Sequence, residues 1–298
     1  MLGEQELARW EGHSPTHWAR AWGIAELHIL GRTGSTNDVA KRLAEQGAPA
    51  GTAVITEEQT AGRGRLGRRW LAPSGRALLI SVVLRPPVAR RSIRLPTTIP
   101  IRVGLATARA IEAVAAVTAR LKWPNDVVIP GAGKVAGILC EGALGDNTDE
   151  FVIAGVGVNV NQQTEQLPEE TRAHASSLAI ITGAEISRAR LAGALLRELA
   201  VFAHSAGEPL DSRTLADYAA RDLLAGEQIL VDDVPVGTAA GITSDGALAV
   251  TTSEGRRVIR GGTIRLAQNP TATAHHTTTG YPLGAAIART DSPRGQVP

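Results

Sequence analysis

Cysteine occurs once in 298 residues, and a single thiol can form neither an internal disulfide nor a multi-cysteine metal centre. Cys140 follows Ile138 and Leu139, an apolar flank that assigns it to a packed strand rather than to a nucleophile. Aromatic platforms are scarce as well, with two tyrosines and two phenylalanines. That scarcity weakens a reading as a nonenzymatic nucleic-acid binder, because such sites stack bases on aromatic rings. No apolar run reaches membrane-spanning length, and the first residues (MLGEQELARWEGHSPTHW) carry acids and tryptophans where a secretory leader has an apolar core. These absences predict a cytoplasmic protein with no membrane partner.

Lysine is nearly missing: arginine supplies 28 of the 31 basic residues, leaving Lys41, Lys122 and Lys134. In so arginine-biased a chain each lysine marks a place where a compact point charge on a flexible stem is called for in preference to a rigid fork. Lys41 reads as a surface residue on a helix; the other two fall in a motif. A net charge of +2 is too small to imply nucleic acid as partner for the whole chain. The positive charge is local. Between Gln59 and Ala110 there are eleven arginines and no acid, and Arg63, Arg65, Arg68 and Arg69 lie in a loop spaced by Gly62, Gly64 and Gly67 that ends at Trp70. Guanidinium forks bind phosphate or carboxylate in a planar, bidentate way, and glycines let backbone N–H groups approach the same ligand. On the loop alone, a solvated basic stretch or a nonspecific RNA-binding segment competes with an anion-binding lid.

The periodicity predicts the organisation. Residues 1–25 read as a loosely ordered N-terminal extension that contains at most a short helix. Strands are expected over 26–30, 52–56, 77–84, 120–123, 127–129, 134–141 and 151–159, the last buried on both faces. A helix capped by Ser35 presents Val39, Ala40, Leu43 and Ala44 before Gly47, and others are expected over 100–117, 187–203 and 211–223. After Gly226 short strands with acidic or glycine turns predict a separate small β-barrel of about 40 residues. The boundaries are therefore 1–25, a main unit at 26–225, the barrel at 226–267 and a disordered tail at 268–298.

A second constellation is Lys122-Trp123-Pro124-Asn125-Asp126, with Lys134 and Gly137 returning on the next strand. Two ammoniums and a carboxylate converge across one hairpin. Lys134 aimed at a substrate carboxylate and Lys122 at phosphates would neutralise the repulsion between them, and Asp126 would hold Mg²⁺ with those phosphates. The alternative is a turn in which Pro124 and Asn125 are structural and the lysines solvated.

The stretches QTAGRGRLGRRW, KWPND, GKVAGIL and GVGVNVN, in this order, resemble the signature segments of biotin protein ligases. With less precision the likeness runs from Leu27 to Leu266, through STN at Ser35 to Asn37 and the late RGGTIRL. It implies an α+β fold, a mixed-sheet catalytic domain of the biotin/lipoate ligase type with a small C-terminal SH3-like β-barrel. It implies two steps, in which biotin and ATP give biotinyl-5'-AMP and pyrophosphate, and a lysine of a biotin carboxyl carrier domain of a biotin-dependent carboxylase then displaces AMP. By the same resemblance Ser35, Thr36, Asn37 and Gln59 hydrogen-bond the biotin head, with Gly62, Gly137 and Leu139 lining its pocket. Arg63, Gly64 and Arg65 close over the adenylate, and this loop is expected to be disordered without ligand. Lys134 holds the biotin carboxylate. Trp70, Asn125 and Asn159 contact the adenylate, and Arg68, Arg69 and Lys122 handle phosphates. Lys134, Arg65 and Lys122 are the catalytic set. Leu66 departs from the basic residue often found there. About 25 residues before the first core strand are too few for a winged helix-turn-helix, so the expectation is no sequence-specific DNA binding, in a monomer or weak homodimer. Lipoate protein ligase, which shares the architecture, is the alternative.

Overall fold

A computed structural model describes residues 5–85, 97–143, 151–202 and 208–267; the tail expected from 268 onward lies outside them. Strands β1 (Leu27–Thr33), β2 (Ala53–Gln59), β3 (Ala77–Leu84), β4 (Arg120–Lys122), β5 (Asp126–Ile129), β6 (Gly133–Ala143) and β7 (Phe151–Asn159) form one mixed sheet, in the order β1-β2-β3-β7-β6-β5-β4. The helices are α1 (Pro15–Trp22), α2 (Thr36–Glu45), α3 (Thr98–Ala115), α4 (Glu169–Arg172), α5 (Leu178–Thr182), α6 (Arg188–Phe202) and α7 (Ser212–Arg221). Only β1 and β2 run parallel, and the crossover that a parallel pair requires is α2.

All of β3 is buried and β7 nearly so, because both faces are covered; that is why these strands are continuous apolar runs. Val39, Ala40, Leu43 and Ala44 of α2 cover one face over Val54, Val83, Phe151 and Ile153. On the other face α3 packs on α6 and β6, and α6 on β3. α2 is ten residues long and stops short of the sheet's far end. Beyond its N-terminus the strands carry little or no side chain, since Gly137 pairs with Gly157 and Leu139 with Gly155. A hollow follows from that sequence pattern.

The second sheet holds β8 (Gln228–Val231), β9 (Val234–Ile242), β10 (Leu248–Thr252), β11 (Gly255–Ile259) and β12 (Ile264–Leu266), in the antiparallel order β11-β10-β9-β8-β12. No pairing joins β11 to β12 among the described residues, so the ladder is an open five-stranded sheet. Its Ile229, Ala239, Leu248, Val250 and Ile264 belong to the same buried cluster as α3 and the first sheet. Trp123 of the KWPND turn donates its indole N–H to the Gly246 carbonyl at 3.0 Å. The two sheets share one core. No described helix is long and apolar enough to cross a membrane.

The segment before residue 26 differs from the expectation of a loose extension. Ser14 accepts from the His17 N–H, proline opens α1, and Gly23 ends it at φ 69°, a conformation with no steric cost for glycine. Trp10 and Trp22 are buried edge to face, with Trp18 stacked on Trp22. Leu7 N–H bonds to the Ile29 carbonyl at 2.7 Å and covers the open edge of β1. The anchor is Arg188, 7% exposed, which donates to both oxygens of Glu57 at 2.7 and 3.1 Å and to Glu11 at 2.9 Å while facing the Trp10 ring at 5.3 Å. Removing one member of a buried, hydrogen-bonded charge cluster leaves the others uncompensated. Arg188→Ala is therefore expected to lower the unfolding free energy by about 3–5 kcal/mol in urea titration; a loss under about 1 kcal/mol would show that the N-terminal segment is not held this way.

Candidate functional site

The hollow is a cavity of about 570 Å³ bounded by the start of α2, the end of β2, the arginine loop, the Pro124–Asp126 turn, β6, β7, the 168–175 segment and Gly262 to Ile264 of the second sheet. Its floor depends on missing side chains. A Cβ at Gly155 would sit 2.2 Å from Asn37 Oδ1, and one at Gly157 would sit 2.6 Å from the Trp70 ring. Trp70 lies over Gly157 and Gly137 with its indole N–H buried and unpartnered.

At one end the first turn of α2 is fixed by a polar network. Thr36 donates to Gln59 Oε1 from its backbone N–H at 2.8 Å and from Oγ1 at 3.1 Å. The buried Ser81 hydroxyl lies 2.7 Å from Thr36 Oγ1 and 2.6 Å from Asn37 Oδ1. Asn37 Nδ2 donates to the Leu139 carbonyl at 3.3 Å and to Glu141 Oε2 at 2.6 Å. Both amide protons of Asn37 are thus committed within the protein. Ser35, whose side chain does not cap the helix, and Gln59 line the cavity at this end.

The arginine loop is a hairpin: Trp70 N–H bonds to Gly62 O at 2.9 Å and Gly64 N–H to Arg68 O at 2.7 Å. A 3₁₀ turn over Arg65–Gly67 forms its tip, with Leu66 at φ 57° and 68% exposed. Gly62 sits at the base, where a Cβ would meet Trp70 O at 2.5 Å, and does not line the cavity. The four arginines are not equivalent. Arg63 forks onto Asp38 at 2.8 and 2.6 Å and reaches Glu141 at 3.3 Å. Its hydrogen bonds to Asp38 raise the guanidinium pKa and hold the Asp38 carboxyl below the usual range. Arg65 donates to the Asn125 side-chain oxygen at 3.3 Å, and burial lowers its pKa. Arg68 touches the Thr263 hydroxyl at 3.4 Å. Among the described residues Arg65, Arg68 and Arg69 form no ion pair, although all three line the cavity.

Lys134 on β6 pairs with Asp126 at 2.6 Å and lies 5.7 Å from the centre of the Trp70 ring. Lys122 stands behind them on β4, off the cavity wall, its pKa lowered by burial. Asn125 holds the turn through Ile138, donating to its carbonyl at 3.0 Å and accepting its N–H on the backbone at 2.9 Å. Asn159 is buried, donates to the Ser176 carbonyl at 3.1 Å and accepts from Gln162 at 2.9 Å. Cys140 does not line this cavity, and burial pushes its thiol up to about 12, which leaves it without nucleophilic character at neutral pH.

The structure therefore brings Ser35, Thr36, Asn37, Gln59, Arg63, Gly64, Arg65, Arg68, Arg69, Trp70, Asn125, Asp126, Lys134, Gly137, Leu139 and Asn159 onto one cavity wall and leaves Gly62 and Lys122 off it. Sequence reasoning missed Asp38, Ser81 and Glu141. Ser81 is a polar residue inside an apolar run, a signal that a buried partner is required; Glu141 shares the strand face of Gly137 and Leu139 by period two. The cavity is lined by the uncharged side chains at the start of α2, by Lys134, and by three guanidiniums that form no ion pair among the described residues. It suits an elongated ligand with a neutral head whose carboxylate meets a phosphate.

Residues 30–159 match the model of the biotin/lipoate A/B protein ligase family. The chain is 37% identical to the biotin--[acetyl-CoA-carboxylase] ligase of Mycobacterium tuberculosis, over 80% of this chain and 87% of that one. It is 38% identical to the bifunctional ligase/repressor BirA of Bacillus spizizenii, over 52% of this chain and about half (46%) of that relative's length. The fold is similar to the biotin protein ligase of Aquifex aeolicus in complex with biotin and ATP, with TM-score 0.68, 30% identity, and coverage of 83% of this chain and 100% of that one.

The Arg63–Asp38 pair gives a pH dependence with a defined sign. The Asp38 pKa is lower in the folded than in the unfolded chain, so the pair's stabilisation is complete at neutral pH and is lost as pH falls through the depressed value. Hydrogen-exchange protection of the Gly64 and Trp70 amides should fall between about pH 5 and pH 3, and Asp38→Asn should remove most of that change. Equal protection at both pH values in the parent chain would contradict the assignment.

Proposed function

The chain belongs to the biotin/lipoate A/B protein ligase family, and we propose that it is an ATP-dependent biotin protein ligase. In this reading biotin's carboxylate attacks the α-phosphate of ATP and pyrophosphate leaves. A lysine amine of a biotin carboxyl carrier domain then attacks the acyl carbon of biotinyl-5'-AMP, and AMP leaves. The carrying observation is the charge distribution: Arg65, Arg68 and Arg69 border the cavity and form no ion pair among the described residues, and Lys134 lines the same cavity, paired with Asp126.

That distribution answers the main obstacle to the first step. A carboxylate and a phosphate oxygen about 4 Å apart repel by roughly 4 kcal/mol at an effective dielectric of 20. Lys134 Nζ, on a flexible stem, leaves Asp126 for the biotin carboxylate and offsets that repulsion at the point of attack. Arg65 takes the α-phosphate, with Arg68 and Arg69 toward the leaving pyrophosphate, while Lys122, off the cavity wall, adds positive charge from behind. The unpartnered Trp70 N–H supplies a donor for the nucleotide, and Ser35 with Gln59 meets the uncharged ring of biotin. Asp126, beside Asn125, offers hard oxygen donors, and a magnesium ion bound largely through phosphates and water needs only one such carboxylate. No described group of three acidic, histidine or cysteine side chains forms a metal site by itself. Magnesium would supply further charge neutralisation on the phosphates.

With ATP, Mg²⁺ and biotin the protein should label the lysine of a carrier domain, and biotin, not lipoate, should raise its melting temperature. Lys134→Ala should cut biotin-dependent pyrophosphate release by about 100-fold or more with an unchanged circular dichroism spectrum, the scale for losing one preorganised charge at a reacting centre. Release at the parental rate would refute the role of Lys134, and absence of any labelling with a competent carrier would refute the ligase.

A further inference from the structure

Arg63 carries the same residue type as its neighbours in the hairpin but a different electrostatic state. Its guanidinium is tied by three hydrogen bonds to carboxylates on two other elements, Asp38 in the first turn of α2 and Glu141 on β6. A fork engaged bidentately at 2.6–2.8 Å is not also available to a phosphate without breaking that pair. We propose that Asp38 and Glu141 form an acidic clasp on Arg63 that positions the arginine hairpin over the cavity and sets how long the acyl-adenylate is retained. This rests on the ligase reading above.

Two features support the assignment. Asp38 occupies the third helical position of α2, where the helix dipole favours a negative charge, so the carboxylate is placed and ionised before the hairpin closes on it. The other side-chain hydrogen bonds of the hairpin arginines are weak by comparison: Arg65 meets a neutral amide oxygen at 3.3 Å and Arg68 a neutral hydroxyl at 3.4 Å. The clasp is also joined to the polar network at the start of α2. Glu141 Oε2 receives Asn37 Nδ2 at 2.6 Å, and Asn37 rests against the Gly155 floor. A single chain of hydrogen bonds therefore joins the head-group end to the lid, through Asn37, Glu141 and Arg63. Arg63, Asp38 and Glu141 are positioning residues in this account. Anion handling falls to Arg65, Arg68 and Arg69.

The test is a single-turnover reaction with biotin and radiolabelled ATP in the absence of carrier, followed by rapid separation of free from protein-bound adenylate. The readout is adenylate escaping per pyrophosphate formed, a ratio that a general loss of activity or of folded protein does not move. Asp38→Asn keeps the shape and removes the charge, and Arg63→Lys keeps the charge and removes the fork. Each should raise the escape rate about tenfold, the scale of one lost charge-assisted pair, and the double variant should escape no faster than either single one. Retention at the parental level in Asp38→Asn, or additive effects in the double variant, would overturn the clasp while leaving the ligase reading intact. A parent protein that forms no pyrophosphate from biotin and ATP would overturn the ligase reading and the clasp together.

Discussion

The close approach of Trp70 and Asn37 to the sheet is the contact on which the site depends. Two glycines of β7 leave room for them, and at either position a single methyl would fall well inside van der Waals distance of a neighbour. The consequence runs outward from there. Because α2 ends where those glycines begin, its polar first turn faces a floor without side chains. Because Trp70 lies on that floor, the hairpin it terminates is brought back over the cavity. The second sheet reaches the same place, with Thr263 beside Arg68.

Charge is then distributed unevenly within one short loop. Arg63 is neutralised by acids of the scaffold, and Arg65, Arg68 and Arg69 form no ion pair among the described residues. Lys134 has a partner in Asp126 but sits on a stem that permits exchange. A lid built this way separates anchoring from ligand handling. The exposed half of each pair is screened by salt, so the hairpin is held firmly enough to define a cavity and loosely enough to admit an elongated ligand. A mixed acyl phosphate hydrolyses readily in water, and a lid that keeps water out is part of the chemistry.

Much of this architecture was legible in the sequence. The apolar runs at 77–84 and 151–159 read as central strands because both of their faces are covered, and the α2 stripe of Val39, Ala40, Leu43 and Ala44 read as a helix face. The glycine-spaced arginines and the KWPND turn located both sides of the site. What was not legible depends on distant partners. Residues 5–25 looked loose because their burial comes from Arg188, far along the chain, and from three tryptophans that pack on one another. That the second sheet shares a core with α3 was not legible, since local strand spacing carries no information about it. The partners of Arg63 were hidden in the same way. Only the fold brings Asp38 and Glu141 to it, and only the fold shows Asn37 to be occupied by the protein itself.

The central claim is that cations from the hairpin and from β6 converge on a carboxyl–phosphate junction. Its most direct test is a crystal structure with a non-hydrolysable sulfamoyl analogue of biotinyl-5'-AMP. The account predicts Lys134 Nζ and Arg65 within hydrogen-bond distance of the acyl and phosphate-equivalent oxygens, about 2.7–3.2 Å, with the analogue's bicyclic head beside Ser35 and Gln59. A bound analogue with Lys134 still on Asp126 and the hairpin turned away from the ligand would contradict it.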